Sequence, residues 1–249
     1  MSTNEKIFAA VAADDRDGFK ALIANDPTLA QARNEKGLSL LMWMLYQQKS
    51  DWVDEIKPML GELDFFEAAA IGDVVRIKSL VGDRPELIDT VAPDGFQALG
   101  LACFFGRPEV VAVLIAAGAE VDYQAPGSLL AALHGAVAGK CVASARHLLA
   151  AGANIDAKQH GGYTALMAAA ANGLIEMLTL LLEHDADPAI TDDQGNTARD
   201  QALQKGQRKI RGFAAGLKCS KTVIFFFQLI ASPLMLLASV RQDVHGDRQ

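Results

Sequence analysis

The stretch GYTALMAAAANGLIEMLTLLLEHDADP, residues 162–188, predicts two short helices separated by a glycine. Thr164 is suited to cap the first helix, and the run of alanines after it allows a neighbouring backbone to approach closely. Gly173 interrupts this helix, and the segment that follows carries isoleucine and leucine residues at helical spacing. Neither helix can bury its apolar face alone, so the pair is expected to depend on neighbouring pairs.

The same pattern recurs along the chain. A large apolar residue stands seven positions before each break between two predicted helices, at intervals of 34, 24, 34, 34 and 33 residues. These apolar residues are Ile7, Leu41, Phe65, Leu99, Leu133 and Leu166. An offset of 58 residues superposes the first two units on the next two without a gap. A period of this size is typical of stacked helical repeats.

Three segments resemble the ankyrin repeat family. They are the stretch quoted above, GFQALGLACFFGRPEVVAVLIAAGAEVD from Gly95, and ALHGAVAGKCVASARHLLAAGANIDAK from Ala132. The family pattern is Gly-x-Thr-Pro-Leu-His-x-Ala-Ala, then a glycine, an aliphatic helix and Gly-Ala-Asp; here alanine replaces the proline of that pattern. The resemblance implies an all-α ankyrin-repeat solenoid. It would consist of stacked helix-turn-helix units with short β-hairpin loops, about seven units including caps.

The resemblance also predicts the domain organisation. The ankyrin-repeat domain is expected to cover residues 1–218, and a C-terminal tail with a hydrophobic segment at 222–240 to cover residues 219–249. The predicted units lie near 5–34, 35–64, 65–94, 95–127, 128–161 and 162–194, with a cap at 195–218. The short interval of 24 residues between Leu41 and Phe65 implies that one connecting hairpin is missing.

Composition narrows the possible functions. Three cysteines lie far apart, which argues against a disulfide framework or a zinc site and suits a reducing compartment. Residues 1–200 hold 15 Lys and Arg against 28 Asp and Glu, a balance of −13, whereas residues 201–249 hold 8 against 2, a balance of +6. An acidic body does not favour binding to nucleic acid. The N-terminus has only a brief apolar run, so no signal peptide is expected.

The sequence carries no recognisable catalytic motif. No His-Glu-x-x-His frame, Gly-x-Ser-x-Gly elbow or phosphate-binding glycine loop occurs. His134 occupies the position of the family histidine, which the resemblance assigns to holding loops together by hydrogen bonds. We therefore predict no catalytic residues, no metal ligands, no cofactor and no small-molecule substrate. The predicted function is a non-catalytic protein–protein interaction module. A membrane-associated structural protein and a regulatory subunit of an enzyme are the alternatives.

By resemblance, partners of such repeats bind to the hairpin tips and to the exposed ends of the first helices, on the concave side. These positions map here to Leu38, Tyr46, Gln47, Phe96, Phe104, Phe105, Tyr163, Asn172 and Asn196. The cluster of Phe96, Phe104 and Phe105 is the sharpest candidate, because large aromatic side chains at solvent-facing positions are typical of recognition hot spots. For Phe105, packing into the core is an equally good interpretation. For Phe104, partner binding is favoured.

The tail departs from the repeat pattern. Residues 222–240 contain 14 apolar residues of 19 and no charge, and as a helix at ~1.5 Å per residue they would approach the thickness of a bilayer core. Basic residues precede the segment, which would keep the repeats in the cytoplasm and give a tail-anchored topology. Two alternatives remain: the segment could pack on the last repeat, or it could be an irregular extension.

Overall fold

The computed structural model describes residues 2–206, which form two compact units that divide after Ala153. The first unit contains helices α1 (Thr3–Ala12), α2 (Arg16–Asn25), α3 (Leu40–Tyr46), α4 (Ser50–Ile56), α5 (Phe65–Ile71), α6 (Val74–Asp83), α7 (Ala98–Phe104), α8 (Pro108–Ala116), α9 (Ala132–Ala138) and α10 (Val142–Ala150). The second unit contains strands β1 (Lys158–Gln159) and β2 (Tyr163–Thr164) and helices α11 (Ala165–Ala171), α12 (Ile175–Glu183) and α13 (Ala198–Gln204). Single 3₁₀ turns occur at Pro27–Gln31, Lys57–Met59, Pro85–Leu87 and His160–Gly162.

The predicted tail, residues 219–249, and the end of the predicted cap lie outside the described residues. The membrane anchor and its two alternatives therefore stay predictions. Within residues 2–206, no helix has both the length and the apolar character needed to cross a bilayer.

The helices form pairs whose first members stack on one another. In the first unit, α1, α3, α5, α7 and α9 contact each other in chain order, and α6, α8 and α10 stack behind them. The six repeated apolar positions are all buried, with at most 3% of their surface exposed. Burying a side chain of this size contributes roughly 1.5–3 kcal/mol, so this row of residues carries much of the stability. The predicted all-α repeat fold is confirmed.

Short polar residues cap several of the first helices, although α7 and α9 begin without a side-chain cap. Ser39 accepts a hydrogen bond from the Met42 N–H, and Thr164 accepts one from the Met167 N–H, as predicted for that threonine. Asp64 and Glu67 form a reciprocal capping box at the start of α5. Each of these contacts satisfies a backbone donor that the helix cannot satisfy itself.

Hairpins connect most of the pairs. Isolated antiparallel bridges join Arg33 to Ser39, Val91 to Gln97 and Ala125 to Leu130, and β1 pairs with β2 in the register Lys158–Thr164 and Gln159–Tyr163. Within the described residues, the segment between α4 and α5 has no such bridge, as the short interval predicted.

The missing hairpin brings two distant hairpins together. A Cβ at Gly37 would lie 3.5 Å from Pro93 Cγ, so the tip of the 33–39 hairpin contacts the tip of the 91–97 hairpin.

In the second unit, Asp192 organises the loop before α13. Its carboxylate accepts hydrogen bonds from the backbone N–H groups of Gln194 and Asn196 at 2.9 and 2.8 Å, and from Gln201 Nε2 at 2.6 Å. Although burial opposes ionisation, these hydrogen bonds hold the pKa of Asp192 below its ordinary value. Hydrogen bonds from Thr197 lower the pKa of Asp200 in the capping box of α13.

We expect this unit to lose stability in acid. Carboxyl groups whose pKa is lowered in the folded state stabilise it fully above their unfolded pKa, about 4, and this stability is lost as the pH falls below that value. Asp192→Asn and Asp200→Asn should therefore make the decline between about pH 4 and pH 2 shallower. Urea denaturation midpoints of the full chain at several pH values measure the effect. Asp193→Asn, which removes one exposed carboxylate from the same loop, serves as the control. A decline as steep as that of the parent would contradict the assignment.

Candidate functional site

The candidate site consists of aromatic residues at the ends of α3 and α7 and in the 91–97 hairpin of the first unit. Its members are Tyr46, Phe96, Phe104 and Phe105, which we call the aromatic surface. The Tyr46 ring lies 5.3 Å from the Phe105 ring and 6.0 Å from the Phe104 ring, measured between centroids. Phe104 and Phe105 meet edge to face, with their centroids 5.1 Å apart. Such pairs are favoured by the ring quadrupoles and contribute about 0.5–1.5 kcal/mol each beyond burial.

This cluster forms because α5, which lies between α3 and α7 in the row of first helices, carries alanines. Ala70 occupies in α5 the position that Tyr46 occupies in α3 and that Phe104 occupies in α7. Its side chain is fully buried, and Tyr46 and Phe105 pack against the core cluster to which it belongs. The small alanine side chain leaves room for aromatic rings from both sides. Residues 58 positions apart therefore meet in front of α5.

A hydrogen bond ties this cluster to a hairpin. Tyr46 donates its hydroxyl proton to Asp94 Oδ2 at 2.7 Å, and Asp94 Oδ1 accepts from the Phe96 N–H at 3.2 Å. Burial, reinforced by the hydrogen bond and the charge of Asp94, raises the pKa of Tyr46 far above its ordinary value. Tyr46 therefore stays a protonated donor, and the 91–97 hairpin is fixed to the end of α3.

A small cleft lies between Phe96 and Phe104 on one side and the next hairpin on the other. The remaining lining residues include Gly100, Glu120, Tyr123, Leu130, His134, Gly135 and Ala138. The cleft encloses about 60 Å³, and its surface is mainly apolar. Tyr123 helps to shape it by donating its hydroxyl proton to the Gly95 carbonyl at 3.2 Å.

The predicted residues of the first unit differ in how much of their surface is exposed to solvent. Phe104 has 41% of its surface exposed, although its ring contacts two other rings. Phe96 and Phe105 are half-buried and pack against the core, so the geometry of Phe105 agrees with its packing interpretation. Leu38 is likewise half-buried against the core, and Gln47 is half-buried where α3 ends.

The other three predicted residues belong to the second unit. Tyr163 is half-buried in β2, and burial together with the charge of Asp192 raises the pKa of its hydroxyl. Asn172 is exposed and donates a hydrogen bond to the Ala168 carbonyl. Asn196 is half-buried and is engaged by Asp192 and Gln204. These contacts give Asn196 a structural function in its loop.

Three residues around the aromatic surface were missed by sequence reasoning. Trp43 lies one turn before Tyr46 on α3, is half-buried, and donates its indole N–H to the Phe8 carbonyl at 3.2 Å. Its spacing of three residues from Tyr46 was the available signal. Glu120 and Tyr123, which line the cleft, lie between α8 and the Ala125–Leu130 bridge. The family pattern did not predict this segment as part of a binding surface.

The family histidine has a structural contact here. His134 is 4% exposed, and its Nδ1 accepts a hydrogen bond from the Ala131 N–H at 3.3 Å, as part of the start of α9. In residues 2–206, no group of three or more His, Cys, Asp or Glu side chains is arranged to hold a metal ion.

Comparison with known proteins is consistent with this geometry. The sequence profile of a family described as "Ankyrin repeats (3 copies)" matches residues 133–213. A "Putative ankyrin repeat-containing protein" of Treponema pallidum (strain Nichols) is 35% identical over 108 residues, which are 43% of this chain and 36% of that protein. "Ankyrin repeat and SOCS box protein 16" of Mus musculus is 45% identical over 65 residues, 26% of this chain and 14% of that protein. A "Probable E3 ubiquitin-protein ligase XBOS34" of Oryza sativa subsp. japonica is 48% identical over 61 residues, 24% of this chain and 12% of that protein. The chain thus matches well under half of the length of each of these relatives.

Proposed function

Because this chain is an ankyrin-repeat protein, and repeats of this family serve as protein–protein interaction modules, we propose that it binds a protein partner on the aromatic surface of its first unit. The exposed ring of Phe104 is the observation that carries the proposal. An aromatic side chain that is exposed but fixed is what a binding hot spot requires.

The geometry of Phe104 favours binding in two ways. The rings of Tyr46 and Phe105 pack against the Phe104 ring, with centroid distances of 6.0 and 5.1 Å. The Phe104 side chain is therefore already ordered before a partner binds. A pre-ordered side chain lowers the entropy cost of association, which is about 0.5–1.5 kcal/mol for a mobile one. The ring also borders an apolar cleft that a partner side chain could fill.

The other predicted contact residues would contribute to binding in different ways, depending on the unit to which they belong. Leu38 and Gln47 lie at a hairpin end and a helix end of the first unit, where a partner bound to the aromatic surface could extend its contact. Tyr163, Asn172 and Asn196 would contribute only to a partner that also engages the second unit. We add Trp43 to the first group because it shares α3 with Tyr46.

We propose further that the chain acts by binding and not by catalysis. The support is its family, whose repeats are generally non-catalytic. The ligase activity in the printed name of the rice protein concerns a much longer chain, of which only 12% is matched.

Phe104→Ala should abolish partner capture while leaving the protein folded. Because the ring is 41% exposed but contacts two other rings, its removal should lower the free energy of unfolding by about 1–2 kcal/mol. Loss of a hot-spot aromatic typically weakens binding by 2 kcal/mol or more, about thirtyfold. The experiment is affinity capture from cell extract with the full chain, followed by direct titration of the captured protein.

The matched control is Val75→Ala, which truncates an apolar side chain that is 80% exposed on α6, away from the inner helices. Circular dichroism establishes that the variants remain folded. A partner that is captured equally by the parent and by Phe104→Ala would refute this surface as the binding site.

A further inference from the structure

We infer that the cleft beside Phe104 accepts a short segment of a protein partner that places one branched aliphatic side chain in the cleft and a lysine or arginine beside Glu120. This inference rests on the proposed function and specifies the chemistry of the partner. It is carried by the shape of the cleft and by the charges around it.

The walls of the cleft suit an aliphatic group. Phe96, Phe104 and Tyr123 present aromatic rings, and the small residues Gly100, Gly135 and Ala138 form part of its lining. The volume of about 60 Å³ is well below the roughly 150 Å³ of a cavity that accommodates benzene. This space suits a branched aliphatic group better than a second aromatic ring. An apolar lining gives bound water few partners, so its displacement by a hydrocarbon is favourable.

The depth of the cleft depends on a close approach of α7 and α9. A Cβ at Gly135 would lie 3.1 Å from the Gly100 carbonyl oxygen, and one at Gly139 would lie only 2.5 Å from the Phe104 carbonyl oxygen. The two helices can approach so closely because these positions lack side chains. Of the α9 residues that line the cleft, Ala132, Gly135 and Ala138 are small, and His134 is the one with a larger side chain.

The hairpins that flank the cleft are acidic. The segments 85–97 and 117–131 together contain five acidic residues and no lysine or arginine. They are Glu86, Asp89, Asp94, Glu120 and Asp122. Asp94 is engaged by Tyr46, as described above. The other four are exposed to solvent.

A hydrogen bond joins two of these acidic residues, one of which lines the cleft. The Asp89 side chain accepts a hydrogen bond from the Glu120 backbone N–H at 2.9 Å, which fixes the two residues side by side. Among the described residues, the Glu120 carboxylate has no hydrogen bond or ion pair, and Glu120 lines the cleft. A carboxylate without an internal partner attracts a cationic side chain of a partner placed beside it. The charge complement of this surface is therefore a basic side chain next to the apolar one.

The test uses the full chain as bait for a library of random short peptides displayed on phage. We expect the enriched peptides to combine a valine, leucine or isoleucine with a nearby lysine or arginine. Synthetic copies are then titrated against the parent, Phe104→Ala and Glu120→Lys by fluorescence anisotropy. Both substitutions should weaken binding at least about tenfold, and added salt should weaken binding to the parent. Glu109→Lys, the same charge reversal at an exposed position of α8, should leave binding nearly unchanged.

The outcomes separate this inference from the proposed function. Peptides that require Phe104 but lack a basic residue, or that bind Glu120→Lys as tightly as the parent, overturn the inference and leave the proposed function intact. Enriched peptides that bind Phe104→Ala as tightly as the parent overturn both. A library that yields no binding peptide overturns the inference, because a short segment would then not suffice. Enriched peptides with the expected composition and dependence on both residues support it.

Discussion

Three glycine-to-alanine substitutions in the first unit should differ in sign and size. Gly139→Ala is expected to lower the free energy of unfolding by about 2–3 kcal/mol, because overpacking against rigid groups costs about 1–3 kcal/mol and occasionally more. The new Cβ would lie 2.5 Å from the Phe104 carbonyl oxygen and 2.6 Å from that of Cys103. Both are backbone atoms within or at the end of α7, so they cannot move aside without shifting the helix.

Gly135 and Gly82 provide comparisons for the expected loss of stability at Gly139. At Gly135 the nearest atom would be the Gly100 carbonyl oxygen at 3.1 Å, which requires a smaller shift and should have an intermediate cost. At Gly82, within α6, no atom outside the helix lies within 4 Å. Gly82→Ala should therefore stabilise the protein by about 0.5–1 kcal/mol, the difference in helix propensity.

Urea denaturation followed by circular dichroism measures the series. The expected order of midpoints is Gly82→Ala above the parent, then Gly135→Ala, then Gly139→Ala. A Gly139→Ala variant as stable as the parent would show that α7 and α9 do not approach this closely. Because the cleft beside Phe104 depends on that approach, Gly139→Ala should also weaken binding of any partner that enters it.

The periodic part of this fold was predictable from sequence, because burial leaves a direct signature. The apolar residues from Ile7 to Leu166 recur near every 34 positions, and each is buried at the centre of its helix pair. The capping function of Thr164 followed from its place before an alanine-rich run. The missing hairpin followed from the short interval between Leu41 and Phe65.

The contacts across the shortened unit could not be predicted in the same way. A repeat pattern assigns each residue to a position within its own unit, but it does not predict which side chains of different units come into contact. Tyr46 meets Phe104 and Phe105 because α5, which lies between α3 and α7, carries the small Ala70 at the equivalent position. Phe104 and Phe105 are adjacent in sequence but differ in exposure, because only Phe105 packs against the core cluster.

The second large effect is expected at Tyr46, whose ring and hydroxyl have separable functions. Tyr46→Ala should lower the free energy of unfolding by about 2–3 kcal/mol, somewhat less than the 3–5 kcal/mol typical of a fully buried aromatic residue, because Tyr46 is half-buried. Tyr46→Phe keeps both ring contacts and removes only the hydrogen bond to Asp94. Its expected cost is about 1.5 kcal/mol, since hydrogen bonds to charged groups contribute more than neutral ones.

Tyr123→Phe is the matched control for the hydroxyl. It removes a hydrogen bond to the neutral Gly95 carbonyl oxygen and should cost about 0.5–1 kcal/mol. A cost for Tyr46→Phe no larger than that of Tyr123→Phe would contradict the assigned strength of the Asp94 contact. A double-mutant cycle between Tyr46→Ala and Phe105→Ala should give a coupling energy of about 0.5–1.5 kcal/mol, because the two rings touch.

Partner binding should respond to the ring of Tyr46 and not to its hydroxyl. In Tyr46→Ala, Phe104 loses one of the two rings that hold it, so it must be ordered upon binding and affinity should fall. In Tyr46→Phe that support remains, and affinity should stay within about twofold of the parent. Titration of the same partner or peptide against both variants measures the difference. If both variants lose affinity equally, the hairpin that Asp94 fixes is the contact that matters, and the ordered ring of Phe104 is not sufficient for recognition.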